Sequence, residues 1–190
     1  MGSVQIAAVA ERAGIAAGTV YRYFPAKTDL VAALVAAQSA VEIAALNRAG
    51  DAAPGPLSAL AAAIVTFAAR ALANRRLAFA LIAEPVEPEL EAVRLGYRGA
   101  LAGAFEIRIR SALERGHLPE QDAAVAAAAL VGALIEGLIG PLAPVTDDAV
   151  KNRAQVQTLA LFGLRSLGVI DARARGLVVQ SALPLRQGTT

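Results

Sequence analysis

Residues Val9 to Lys27 read VAERAGIAAGTVYRYFPAK, and this stretch decides the fold. Val4, Ile6, Val9, Ala10 and Ala13 recur at three- and four-residue spacing, the pattern of one apolar helical face. Gly14 follows as the residue able to take the left-handed conformation that ends a helix, and Ile15 is expected to plug the turn. A second helix begins near Ala17 and carries Val20 and Phe24 inward one turn apart, while Thr19, Tyr21, Arg22 and Tyr23 point elsewhere. Pro25 ends it. Two short helices around a glycine turn make a helix-turn-helix. Hydroxyls and a guanidinium grouped on its exposed side suit phosphate oxygens and base edges better than plain solvent.

The run resembles the DNA-binding domain of the tetracycline-repressor family of transcriptional regulators. The matching residues are Val9-Ala10, Ala13-Gly14-Ile15, Gly18-Thr19-Val20-Tyr21, Tyr23-Phe24, Lys27 and Leu30. Two departures stand out. Ala16 occupies the place of a serine whose hydroxyl caps the recognition helix, a cap worth about 1 kcal/mol. Only Met1 to Ser3 precede the helix that corresponds to the family's second, so the first helix of the domain is missing from this sequence. The expectation is a head that binds its operator weakly or not at all in this 190-residue form, and as a dimer on a palindrome when extended upstream.

Composition agrees with an all-α chain. Hydrophobic residues make up 56%, about a quarter of the residues are alanine, and aromatics only 4%, which favours helices over sheets. There is no cysteine, hence no disulfide framework and no thiolate metal site, as suits a reducing cytoplasm. No secretory leader pattern opens the sequence. The net charge is only +2, and up to Arg48 four basic residues (Arg12, Arg22, Lys27, Arg48) face three acidic ones (Glu11, Asp29, Glu42). The nucleic-acid reading therefore rests on pattern and not on a basic patch.

Beyond the head, Lys27 to Arg48 reads as a connecting helix with Leu30, Leu34, Val41 and Ala45 on one side, and Gly50 to Pro56 as a loop. Helices follow over Leu57–Ala73, Leu77–Ala83 (ended by Pro85) and Glu89–Arg115, the last with Leu90, Val93, Tyr97, Leu101, Phe105 and Ala112 inward. The carboxylates between Glu84 and Glu91 read as a solvated loop running into an acidic helix start, with no histidine or cysteine near them. His117, the single histidine, reads as a turn residue. Asp122 to Gly140 is apolar for nearly a membrane-spanning length, but its apolarity is mostly alanine and Glu136 would cost about 2–3 kcal/mol at mid-bilayer, so a subunit interface is the better reading. Asp147 to Leu167 is the last long helix, and the tail from Asp171, with Gly176, Pro184 and Gly188, reads as partly disordered.

The chain thus divides into a helix-turn-helix domain with its connecting helix (1–46), a helical ligand-binding and dimerisation domain (47–170) and a tail (171–190). The resemblance implies a cytoplasmic, non-enzymatic regulator, most simply a repressor released by a small-molecule effector, with no cofactor, metal or membrane. Its expected DNA contacts are Ala17, Gly18, Thr19, Tyr21, Arg22, Tyr23 and Lys27. An apolar effector pocket is expected around Phe67, Phe79, Ile82, Tyr97, Leu101 and Phe105, with Arg70, Arg98 or Arg108 as polar anchors. A homodimer interface is expected at Leu130, Leu134, Gly137, Leu138, Val156, Leu159, Phe162 and Gly163. The competing reading is a dimeric helical ligand-binding or scaffold protein that does not bind DNA.

Overall fold

The computed structural model describes residues 5–84 and 88–182; Val4, Pro85, Glu87, Pro184 and Gly188 lie outside them. Among the described residues the chain forms helices only: α1 (Ile6–Ala13), α2 (Ala17–Tyr23), α3 (Lys27–Asp51), α4 (Pro56–Ala73), α5 (Arg75–Ile82), α6 (Pro88–Glu114), α7 (Ala123–Leu138), α8 (Ala149–Ser166) and α9 (Asp171–Ala182). Their ends are where turn chemistry puts them. Gly14 and Gly116 take left-handed conformations, φ 69° and 66°, just past α1 and α6. The Asp122 carboxylate accepts from the Ala124 and Val125 amides to start α7, and Asp148 does the same for Val150 and Lys151 of α8.

There are two cores of very different size. Ile6, Ala10 and Val20 form a small one, with Ala17, Phe24 and Leu30 packed on it. Val9 and Ile15, expected inward, are instead 37% and 47% exposed, because two short helices present only one residue per turn to each other. The larger core runs from Val31 to Val178, and α4 is its axis: Leu60, Ala61, Ala63, Ile64 and Ala68 are wholly buried. Both α3 and α4 are long and apolar enough to cross a bilayer; in α4 that apolarity is spent on the core.

Three expectations are corrected. In α3 the buried residues are Val31, Val35, Ala45 and Leu46; of the stripe expected on one side, Ala45 is buried and Leu30 packs on the small core, while Leu34 and Val41 are exposed. Gly50 does not open a loop: it lies buried inside α3, which continues to Asp51, and its missing side chain makes room for Arg108. Within the stretch expected to be partly disordered, Asp171–Ala182 is a helix, since Ala174, Leu177 and Val178 give it an apolar stripe to bury against α4 and α8; residues 183–190 lie outside the described residues.

Candidate nucleic-acid interface and effector cavity

In the head, burial of Val20 fixes which way α2 faces. With Val20 held against Ile6 and Ala10, its neighbours Tyr21 and Tyr23 are 52% and 68% exposed, Arg22 and Gly18 are exposed, and Thr19 and Ala17 are half-buried. The Arg22 guanidinium carbon lies 5.1 Å from the Tyr23 ring centroid, a cation–π distance that keeps the two on one surface. Gly18 has open space where a side chain would be, so backbone can approach a partner closely there. Ala16 offers no side-chain cap to α2. Lys27 and Thr28 open α3, where the Asp29 carboxylate turns back to accept from the Ala26 amide at 2.9 Å. Thr19, Tyr21, Tyr23 and Lys27 therefore stand at the start and along the outer side of two successive helices.

The second site is in the body. Arg70 of α4 donates from Nε and Nη2 to the two carboxylate oxygens of Glu42 on α3, at 2.6 and 2.9 Å, and Gln38 adds a 2.8 Å bond to Oε1. The fork-to-carboxylate geometry is the strong form of this contact. Arg70 holds the Glu42 carboxyl below the usual carboxylate range, against the opposing effect of burial, and Glu42 in turn raises Arg70. Beside the pair is a cavity of about 30 Å³ lined by Phe67, Leu81, Ile82, Ile139 and Tyr97. Tyr97 is 5% exposed; burial, and secondly the Glu42 charge, raise its hydroxyl pKa.

Of the expected pocket residues, Phe67, Ile82 and Tyr97 line this cavity, as does the expected anchor Arg70. Leu101 and Phe105 are wholly buried behind it, Phe105 edge-on to Phe67 at 6.5 Å between centroids, and Phe79 is half-buried outside it. Arg98 does not reach it. Arg108 is spent elsewhere, donating to Ala104 O, Asn47 Oδ1 and Asn47 O at 2.8, 3.1 and 3.2 Å. Gln38 and Glu42 escaped the sequence reading because Arg70, which pairs with Glu42, comes from a different helix and leaves no mark in the pattern of α3. A larger open groove, about 410 Å³, runs between α4, α8 and α9 past Val65, Val156 and Arg153.

The residues expected at a subunit interface divide. Leu130, Leu134, Leu138, Val156 and Gly163 are buried in the single protomer, Val156 at the floor of the open groove. Gly137 and Leu159 are half-buried against each other; a Cβ at 137 would come within 2.6 Å of Leu159 Cδ2. Phe162 is 54% exposed on α8, and on α7 Val125, Ala129 and Gly132 are exposed with it. No group of three or more His, Cys, Asp or Glu side chains converges among the described residues as a metal site would require.

Residues 1–34 match the family model described as bacterial regulatory proteins, tetR family. No curated protein matches the chain. Among solved structures, RolR in complex with resorcinol superposes with a TM-score of 0.68 at 24% identity, covering 93% of this chain and 83% of that one. RolR without ligand gives 0.67 at 22% identity, over 94% and 87%. At that identity the likeness is one of fold.

Proposed function

We propose that this chain, a tetR-family head on an all-helical body, is a DNA-binding transcriptional regulator that a small organic effector releases from its operator. The observation that carries it is the surface of α2. Buried Val20 leaves Thr19, Tyr21, Arg22 and Tyr23 together on the outer side of a helix-turn-helix that matches the family model. In this reading Tyr21, Tyr23 and Lys27 contact phosphates, Arg22 supports Tyr23, and Thr19 with the backbone at Ala17 and Gly18 approaches base edges. The head is residues 1–46 and the effector domain follows, with α9 belonging to the body it packs on.

Two such heads are needed to read a palindrome, and the exposed faces of α7 and α8 supply the means to pair them. Val125, Ala129 and Gly132 with Phe162 form a surface of small and apolar side chains that a second copy covers. The body holds the effector; RolR, which shares this fold, forms a complex with the ligand resorcinol. The protein acts in the cytoplasm, where its operator is.

The test is binding of the chain to DNA upstream of neighbouring genes, titrated with salt. Saturable binding to one palindromic segment, weakened by salt, supports the reading. Folded dimer that binds none of these segments at low salt sends it to the second reading, a helical ligand-binding protein without DNA. The thin charge of the head favours that second reading.

A further inference from the structure

The groove between α4, α8 and α9, about 410 Å³, falls in the roughly 300–1,000 Å³ range of small-molecule sites. Alanines open it. Ala69 and Ala73 of α4 and Ala149 of α8 line the groove, and side chains this short leave a gap between packed helices that a leucine would close. Its floor is apolar, made of buried Val65, Val156 and Val178 with Leu72 half-buried beside them. Its polar groups all come from one strip of α8: Asn152, Arg153 and Gln157. Among the described lining residues Arg153 carries the one charge. It is exposed, and it has no ion pair or hydrogen bond among the described residues. Along α4, from Val65 to Ala73, the groove runs about 12 Å.

We propose that this groove binds a medium-length aliphatic carboxylate, with its chain laid along the valine floor and its head group at Arg153. The chain is held because it leaves water for an apolar surface. A carboxylate accepts two parallel N–H bonds from a guanidinium, which an alcohol cannot do, and an ammonium would meet Arg153 as a like charge. The amides of Asn152 and Gln157, on either side of Arg153 along α8, are further donors for its oxygens. An elongated groove suits an extended chain better than a compact ring. Phe162, on the proposed subunit contact, lies about 120° around α8 from Val156, so pairing of two copies and the groove use different faces of that helix. The inference concerns the body alone and does not depend on DNA binding by the head.

The test uses the full chain at pH 7 and three probes of one chain length, octanoate, octanol and octylamine, with dissociation constants from calorimetry. Octanoate is expected to bind about fivefold tighter than octanol, a margin kept modest because Arg153 stays in contact with solvent, and octylamine to bind weakest. Salt at about 1 M should erase most of that margin. Arg153→Gln should bring octanoate to the octanol value while octanol stays within about twofold. Ala69→Leu, which fills the groove, should weaken octanoate and octanol alike by about tenfold. Octanoate no tighter than octanol on the unaltered chain overturns the proposal, and so does a margin that Arg153→Gln leaves intact, or no octanoate binding at millimolar concentration. A folded Ala69→Leu protein that binds both probes as before places them elsewhere and overturns it too. If Ala69→Leu fails to fold, Arg153→Gln, at an exposed position, still decides.

Discussion

The guanidinium of Arg108 lies over the backbone of Gly50 where α6 crosses the end of α3. A Cβ built on Gly50 would sit 2.8 Å from Arg108 Cζ and closer still to Nε. The guanidinium fits there only because residue 50 has no side chain. In return it donates to Asn47 and reaches Asp51 at 3.4 Å, tying the last turn of α3 to α6. The burial this requires lowers the Arg108 pKa, partly offset by Asp51.

Gly50→Ala should therefore destabilise the fold by about 1–3 kcal/mol, the cost of pushing a bonded, buried arginine aside. In an Arg108→Met background the same substitution has nothing to displace. Alanine's helix preference over glycine then makes it stabilising by up to about 1 kcal/mol. Urea denaturation of the four proteins checks this, and additive costs in the double variant would show the contact to be incidental.

The Arg70–Glu42 pair should give stability that depends on pH in one direction. Glu42 is held below its ordinary value, chiefly by the Arg70 hydrogen bonds, so its contribution is complete above the unfolded carboxyl pKa of about 4.3 and disappears as pH falls through the lower folded value. The Arg70 side chain is 41% exposed, which limits the pair to about 1 kcal/mol. Glu42→Gln should thus cost about that much at pH 7 and progressively less as pH falls below the ordinary carboxyl range. A cost that does not fall with pH, read from thermal melts across the acid range, would mean the charge is not what Glu42 contributes.

Much of the fold was legible because helix ends carry their own chemistry: Gly14 and Asp122 mark boundaries where the structure has them, and the last long helix, expected from Asp147, starts just after its cap at Asp148. Facing was not. In α3 the residues at 30, 34, 41 and 45 and those at 31, 35 and 46 both fit a helical period, since nearly every position is alanine or another apolar residue. The polar end of the cavity, Gln38 and Glu42, was hidden for another reason: Glu42 pairs with Arg70 of α4, a contact between helices that no local pattern shows. In α7 the same degeneracy assigned Leu130, Leu134 and Leu138 to a partner when they face their own core. The head was read more fully because Thr19 to Lys27 puts distinct side chains at consecutive places, and one buried residue, Val20, orients them all.

Phe162→Glu should dissociate the proposed dimer without unfolding the protomer. Phe162 is 54% exposed in the single chain, so a carboxylate there is solvated in the monomer and buried only when two copies meet. Light scattering should move from dimer to monomer mass at micromolar concentration while the helical circular dichroism is kept. An unchanged dimer mass would place the contact elsewhere. By contrast Leu134→Ala, which is 1% exposed, should cost about 2–5 kcal/mol of protomer stability.

The DNA reading carries the most specific expectation, because the head has so little charge to spare. With four basic and three acidic residues up to Arg48, only a few phosphates can be neutralised, so the slope of log affinity on log salt should be shallow. Each contact then forms a large share of it. Lys27→Ala should reduce that slope by about 1 and weaken binding alike on operator and unrelated DNA, as loss of a phosphate contact does. Tyr21→Phe removes one hydroxyl from a side chain that is 52% exposed and should cost roughly fivefold, again on all sequences, with no change in slope since no charge is lost. Thr19→Val keeps the shape of the side chain and deletes its hydroxyl, so it should narrow the ratio of operator to unrelated DNA, the signature of a base-edge contact. Salt titrations of the unaltered chain and these three variants on one operator and one scrambled duplex separate the roles. If Lys27→Ala leaves the slope unchanged while Thr19→Val weakens both duplexes equally, α2 does not lie in the groove in the way its exposed face implies.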